Sequence, residues 1–90
     1  MYRLGILAGM VPRSTTPFLE AVLDGCERQY GAEYDMDYPH MVVYSLPTPF
    51  YLDRPMVKHD MLEALELGLN TLTRSECAVI AVPCNSVHAY

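Results

Sequence analysis

Apolar positions along this chain fall into three short continuous runs separated by two longer stretches with helical spacing. The runs at residues 4–8, 40–45 and 77–83 have the length and composition of β-strands. Between them, apolar residues recur every three to four positions, as in amphipathic helices. The order β-α-β-α-β predicts an α/β fold, a parallel doubly wound sheet in which the helices connect neighbouring strands.

The first helix has clear predicted ends. Thr16 followed by Pro17 indicates the start, with the threonine as N-cap and the proline at the first helical position. Gly31 predicts the end of the helix. Its apolar stripe consists of Leu19, Val22, Leu23, Cys26 and Tyr30.

The second helix is predicted over residues 56–74. Gly68 lies inside it, and because glycine costs about 1 kcal/mol relative to alanine in a helix, it is predicted to be a weak point. The apolar side of this helix consists of Met61, Leu62, Leu65, Leu69 and Leu72.

The third strand leads towards the region where a binding site is expected. The run from Val79 to Val82 predicts a strand that is buried on both faces, and Pro83 marks its end because proline cannot donate to a sheet. In doubly wound sheets, ligands bind outside the carboxyl ends of the strands. Residues 9–16, 45–54 and 84–88 meet there, and the proline-rich loop at residues 46–55 is long enough to have a function.

Cys84 is the strongest chemical candidate, because it follows the third strand where a helix begins. A helix N-terminus lowers the pKa of a thiol and makes the nucleophilic thiolate available. The alternative is a small buried apolar residue, which is what we expect of Cys26 and Cys77. Asn85 and Ser86 either cap the helix or, with their backbone N–H groups, bind a carboxylate.

Two further side chains allow both a functional and an ordinary interpretation. His88 lies one helical turn after Cys84 and either forms a cysteine–histidine dyad or is packed or solvated. Arg54 lies in a loop and is either a solvated surface cation or a bidentate clamp for a carboxylate.

Composition excludes several classes of function. The net charge of −5 at pH 7 argues against nucleic acid and anionic membrane surfaces as partners, and no apolar run approaches the roughly 20 residues of a membrane span. Three cysteines argue against a disulfide framework and for the reducing cytoplasm. Neither a phosphate-binding loop nor metal-ligand spacing is present, so no metal is predicted.

Three motifs in combination resemble the aspartate/glutamate racemase family. They are "GILAGMVPRSTTPF" near the start, "LDRP" after the second strand and "AVPCNSVHAY" after the third. The resemblance covers the whole chain in register. It departs from the family pattern at Ala8 and Val11, where the family usually has glycines.

The resemblance implies two similar α/β lobes that face each other, each contributing one cysteine, with no cofactor. One thiolate removes the α-proton of an amino acid while the opposite thiol protonates the other face. Cys84 would be the acid/base of the first lobe. Residues 1–90 would then be an incomplete amino-terminal lobe, whose second lobe is absent from this chain, and we expect a homodimer for the full-length parent.

The same resemblance assigns substrate contacts. Arg54 would hold the side-chain carboxylate of a dicarboxylic amino acid, while Asn85 and Ser86 bind the other carboxylate. The remaining positions that border or line the pocket are Met10, Thr15 and Thr16.

The expected function is therefore racemisation of aspartate or glutamate, with the 90-residue chain alone expected to be inactive. Relatives that share this architecture isomerise maleate, racemise hydantoins or decarboxylate malonates, and these activities remain alternatives. A different class of function is a small-carboxylate-binding module, or an inactive fragment, that carries Cys84 without turnover.

Overall fold

The computed structural model describes residues 3–49, 51 and 53–83. Three strands alternate with two α-helices, as predicted. In chain order these elements are β1 (Arg3–Ala8), α1 (Thr15–Tyr30), β2 (His40–Ser45), α2 (Lys58–Arg74) and β3 (Cys77–Ala81). Short 3-10 turns precede α1 at Pro12–Ser14 and precede β2 at Asp35–Asp37.

The strands form one parallel sheet in the order β2-β1-β3. Ile6 of β1 lies opposite Val43 of β2 and Ala81 of β3, so β1 is the central strand. The chain moves from β1 to β2 in one direction and from β2 across β1 to β3 in the other. Since parallel crossovers are right-handed, α1 and α2 lie on opposite faces of the sheet. The predicted doubly wound arrangement is confirmed.

The best-packed part of the core lies between α2 and the sheet. Leu7, Met10 and Leu72 form its buried centre. Alternate residues of a strand face opposite sides, so Ile6 and Ala8 lie on the other face of β1, where both are also buried. Half-buried side chains around the α2-side centre are Val42, Tyr44, Leu46, Leu65, Cys77, Ile80 and Val82.

Gly68, predicted to be a weak point of α2, lies where that helix packs against the sheet. A Cβ at this position would lie 2.5 Å from Cδ1 of Leu7 and 3.3 Å from Cδ2 of Leu46. Both leucines belong to the core on the α2 side. The missing side chain lets α2 approach the sheet closely, a tertiary benefit that helix propensity does not include.

The start of α1 also differs from the prediction. The helix begins at Thr15, and Thr16 lies within its first turn, so Thr16 is not the N-cap. The 3-10 turn runs directly into the helix, and Ser14, at the N-cap position, donates its hydroxyl to the Val11 carbonyl oxygen at 2.8 Å. The predicted end is confirmed, because Gly31 adopts a left-handed φ of 71° and its N–H donates to carbonyl oxygens of the last turn.

The prediction that β3 is buried on both faces was wrong. Val79 is 61% exposed, whereas Ile80, on the α2 side, packs against the core. Val79 lies beside Leu4, so its side chain is on the face away from α2, and α1 connects β1 to β2 on the opposite side of the central strand. Within the described part of the chain, β3 is therefore an edge strand with one open face, and it ends at Ala81 rather than Pro83.

The predicted apolar stripes of the two helices are buried to different extents. α2 begins at Lys58 rather than at residue 56, and it buries Met61 and Leu72. Leu62 and Leu69, which were predicted on the same side, are each 40% exposed. No residue of α1 is fully buried, and Cys26 on its stripe is half-buried.

Candidate functional site

The loops that follow β1 and β2 are held against each other at the carboxyl edge of the sheet. The N–H of Leu46 donates to the carbonyl oxygen of Ala8 at 2.8 Å. Gly9 has a φ of 103°, and a Cβ there would overlap the backbone of Leu46. Only glycine fits this left-handed position so close to another chain segment, and the two loops therefore share one edge.

Val11 gives the first loop its sharp turn. It adopts a φ of 61° and a ψ of 75°, in the left-handed region that β-branched residues rarely occupy. Conformations of this kind cost about 1–3 kcal/mol and cluster at functional sites. The departure from glycine noted in the sequence thus falls on a residue whose backbone conformation favours glycine.

Met10 and Thr15 lie at this edge, and Thr16 lies beside them. Met10 is 5% exposed and packs with Leu7 and Leu72, so its side chain is part of the core beneath the loop. Thr15 begins α1, and its hydroxyl oxygen is buried without a hydrogen-bond partner. Thr16 is exposed.

Arg54 has two partners from its own loop. Its Nε lies 3.2 Å from Oδ1 of Asp53, and its Nη2 lies 3.4 Å from Oδ2 of the same carboxylate. The guanidinium carbon lies 4.8 Å from the centroid of the Tyr51 ring. The Arg54 side chain is 61% exposed, and exposed ion pairs contribute only about 0–1 kcal/mol. Another carboxylate could therefore replace Asp53.

Four predicted residues lie outside the described residues, namely Cys84, Asn85, Ser86 and His88. The described chain reaches Pro83, directly before them, at the carboxyl end of β3. Parallel strands end at the same edge of a sheet. β1 and β2 therefore end at the same edge of the sheet as β3. The segments that carry Met10, Thr15 and Arg54 begin at that edge.

Sequence reasoning missed Thr48, in the loop after β2. Its hydroxyl oxygen is buried and, like that of Thr15, has no hydrogen-bond partner. The position between Pro47 and Pro49 was a usable signal, since that loop was already expected to have a function. The burial of the hydroxyl depends on tertiary packing and has no sequence pattern.

A second omission is Arg13, in the turn between β1 and α1. Its side chain forms no ion pair with any residue in the described ranges, whereas Arg54 is paired with Asp53. Arg13 is therefore an unpaired cation near the carboxyl edge. It would be available to an anionic ligand at lower cost than Arg54.

A hydrogen-bonded network of acids and tyrosines lies at the other end of α1. The hydroxyl of Tyr38 donates to Oε2 of Glu27 at 2.7 Å, which raises the pKa of Tyr38 to about 12. The Asp37 carboxylate accepts the N–H groups of Tyr34 and Glu33, and these bonds hold its pKa below the usual range. This network fastens the segment between α1 and β2, far along the helix from the carboxyl edge.

Tyr30 belongs to the same network. Its hydroxyl donates to the carbonyl oxygen of Asp37 at 2.6 Å. The pKa of Tyr30 is raised, chiefly by the neighbouring Cys26 thiol. Cys26 therefore lies near this end of α1, away from the candidate site.

The described residues contain neither a metal-binding cluster nor a membrane-spanning helix. No group of three or more His, Cys, Asp or Glu side chains in that part of the chain is arranged to hold a metal ion. No helix within the same ranges is long and apolar enough to cross a membrane.

Comparison with known proteins relates the chain to amino-acid racemases. It is 51% identical over 87 residues to the broad specificity amino-acid racemase RacX of Bacillus subtilis (strain 168). The match covers 97% of this chain and 38% of the relative, so the chain spans well under half of the relative's length. No protein-family model matches the chain, and no solved structure does. The resemblance to racemases inferred from the motifs is confirmed.

Proposed function

Because this chain is similar to an amino-acid racemase, we propose that the chain forms the amino-terminal lobe of a cofactor-independent racemase of aspartate or glutamate. The observation that carries this proposal is the 51% identity to a racemase along nearly the whole chain. The joined loops at the carboxyl edge of the sheet support it, since ligands of doubly wound sheets bind there.

The chemistry requires an acid and a base on opposite faces of the α-carbon. We assign the base on one face to Cys84, whose thiolate removes the α-proton and forms a thiol. A second cysteine, in a lobe outside this chain, donates a proton to the other face. The reverse reaction exchanges the two roles, so both thiols return to their starting states over one forward and one reverse turnover.

The carboxylate next to the reacting carbon must be held by donors, because negative charge develops there when the proton leaves. Asn85 and Ser86 have this role in our proposal. Arg54 would receive the side-chain carboxylate of aspartate or glutamate in exchange for Asp53. Little energy opposes this exchange, because the Arg54–Asp53 pair is exposed.

A racemase with wider amino-acid specificity is the second candidate. The name of the Bacillus relative states broad specificity, and the Asp53 carboxylate already occupies the Arg54 guanidinium. If Arg54 stays paired with Asp53 in the complex, the enzyme has no preference for a second carboxylate.

Replacement of Arg54 by alanine distinguishes the two candidates. For an aspartate or glutamate racemase, Arg54→Ala weakens binding of aspartate far more than binding of alanine, because only aspartate loses an ion pair. Equal losses for both amino acids would remove Arg54 from the substrate site and favour the broad-specificity enzyme.

Hydrogen exchange at the α-carbon tests the reaction itself. The full-length protein and the 90-residue chain are each incubated with L-aspartate in heavy water, and D-aspartate and α-deuterium are followed. We expect turnover by the full-length protein and none by the chain alone, because one lobe supplies only one face. Turnover by the isolated chain would contradict the requirement for a second lobe.

The non-enzymatic alternative is a small-carboxylate-binding module that carries Cys84 without turnover. Cys84→Ser in the full-length protein separates the two, since serine retains the size of the side chain but is a far weaker acid. Loss of racemisation with retained aspartate binding supports the catalytic role. Full activity of the variant would remove Cys84 from the mechanism.

Compartment and assembly complete the proposal. The odd number of cysteines supports a reducing environment, so we assign the protein to the cytoplasm. We also propose a homodimer for the full-length racemase, which sedimentation measurements would test.

A further inference from the structure

Two threonine hydroxyls near the carboxyl edge of the sheet have no hydrogen-bond partner. Thr15 begins α1 after the first loop, and Thr48 lies in the loop after β2. The oxygen Oγ1 of each is buried, and neither accepts from nor donates to another group. They are the two buried side-chain oxygen or nitrogen atoms in the described ranges that lack a partner.

These unpaired hydroxyls stand out, since other threonines of the chain donate theirs to nearby carbonyl oxygens. Thr71 donates to the carbonyl oxygen of Leu67 at 2.8 Å, and Thr73 donates to that of Leu69 at 2.8 Å. Such bonds to the preceding helical turn are the ordinary solution for a threonine. A buried hydroxyl without a partner destabilises a protein, so an unpaired group in a native structure calls for an explanation, and a catalytic or binding role is one of them.

The surrounding structure places these hydroxyls on adjoining loops. The Leu46–Ala8 hydrogen bond and the contact of Gly9 with Leu46 hold the loop after β1 against the loop after β2. Thr48 follows Leu46 by two positions, and Thr15 follows the turn at Val11. Both hydroxyls therefore belong to the edge at which the candidate substrate site lies.

We propose that Thr48 is a substrate-positioning residue, and that its hydroxyl, together with that of Thr15, donates a hydrogen bond to a carboxylate of the bound amino acid. This inference rests on the proposed racemase function. A hydroxyl is a suitable donor because it rotates to meet an oxygen and carries no charge of its own. Because both oxygens are buried, the substrate must displace the groups that cover them, and the resulting bonds are shielded from water.

Three variants of the full-length protein test the role of Thr48. Thr48→Val keeps the shape and removes the hydroxyl, whereas Thr48→Ser keeps the hydroxyl. Thr71→Val is the matched control, because it removes a hydroxyl whose partner lies within α2. Each variant is measured for thermal unfolding without substrate, for KM and kcat in racemisation of L-aspartate, and for calorimetric binding of L-aspartate.

We expect Thr48→Val to unfold at the same temperature as the wild type or higher, since it removes an unsatisfied group. Its KM and dissociation constant should rise roughly ten- to a hundredfold, the loss of one hydrogen bond to a charged group. Thr48→Ser should stay within about threefold of the wild type because the donor is retained. Thr71→Val should lower the unfolding temperature and leave KM unchanged.

The outcomes separate this inference from the proposed function. Binding that is unchanged in Thr48→Val overturns the role of Thr48, even where racemisation is intact. A wild type that binds aspartate without turnover, together with weaker binding by Thr48→Val, supports the role of Thr48 and refutes the racemase. A wild type that binds no aspartate overturns both.

Discussion

The two faces of the sheet are covered to very different extents by their helices. On one face, α2 buries Met61, Gly68 and Leu72 and closes a core with the central strand. On the other face, α1 has no fully buried residue, and Val79 of the edge strand is open. The same sheet therefore has one tightly packed side and one loosely packed side.

The difference shows where small changes matter. A packed interface is sensitive to a single methylene, whereas a half-buried helix tolerates substitution because neighbouring groups can adjust. We expect stability to depend strongly on residues of α2 and weakly on equivalent residues of α1. The following substitutions test that contrast.

Leu72→Ala should have the largest effect. Leu72 is fully buried in the core on the α2 side, and such truncations cost about 2–5 kcal/mol because they lose apolar contact and leave a cavity. Leu23→Ala, at a half-buried position of α1, is the control and should cost about 1 kcal/mol. Urea unfolding measures both, and equal losses would contradict the asymmetry.

Alanine substitution of the two helical glycines should have opposite effects. A Cβ at Gly68 meets the Leu7 side chain, while a Cβ at Gly25 of α1 meets nothing within 4 Å. Gly68→Ala should therefore destabilise the fold by about 1–3 kcal/mol through overpacking. Gly25→Ala should stabilise it by up to about 1 kcal/mol, since alanine favours a helix.

Chemical denaturation of the two glycine variants measures these changes. Stabilisation by both substitutions would mean that α2 has as much free space at Gly68 as α1 has at Gly25. Destabilisation by both would mean that α1 packs more tightly than its half-buried residues indicate.

Val11→Gly should stabilise the loop before α1 by about 1 kcal/mol. The left-handed conformation at Val11 strains a β-branched residue, and glycine relieves the strain at some entropic cost. Val79→Gly is the control, because Val79 is similarly exposed at 61% but lies within strand β3 and has no positive φ. It should destabilise by about 0.5–1 kcal/mol. Thermal unfolding compares them, and a loss at Val11 would argue against strain.

The smallest expected effect concerns acid pH. The N–H groups of Tyr34 and Glu33 lower the pKa of Asp37 from its usual 3.8, so the charged form stabilises the folded state. This contribution is complete above that value and is lost as pH falls through the lowered pKa. Asp37→Asn should therefore be less stable than the wild type at neutral pH, and the difference should shrink in acid.

Asp35→Asn is the control for charge alone, because the Asp35 side chain accepts no hydrogen bond within the described residues. Urea midpoints for both variants across the acid range measure the effect. A difference between wild type and Asp37→Asn that does not change with pH would exclude a role for the carboxylate charge.

Sequence reasoning identified the elements well and their packing less well. β2 was predicted at its exact bounds, and the end of α1 at Gly31 was correct, because apolar runs and glycine stops are local signals. The close packing around Gly68 and the exposure of Val79 depend on which elements pack against each other. No periodicity along the chain contains that information.

For the candidate site, the sequence indicated the edge of the sheet at which it lies, but not which of its side chains have partners. Residues 9–16 and the loop after β2 were expected at the carboxyl edge, and the structure brings them together through Gly9 and Leu46. The pairing of Arg54 with Asp53 and the unpaired hydroxyl of Thr48 could not be predicted, since both depend on three-dimensional contacts.

The central position of β1 has a consequence for the order of folding. Arg3 pairs with His40 and with Cys77, and its side chain donates to the carbonyl oxygen of Ser75, 72 positions later. Contacts between such distant residues close large loops and form slowly. During synthesis, the β1–β2 pair can form first, but β1 keeps an unpaired edge until β3 has left the ribosome. Of the three described strands, β1 is made first, and one of its edges stays unpaired until the last of them is made, which exposes that edge to aggregation in a nascent chain.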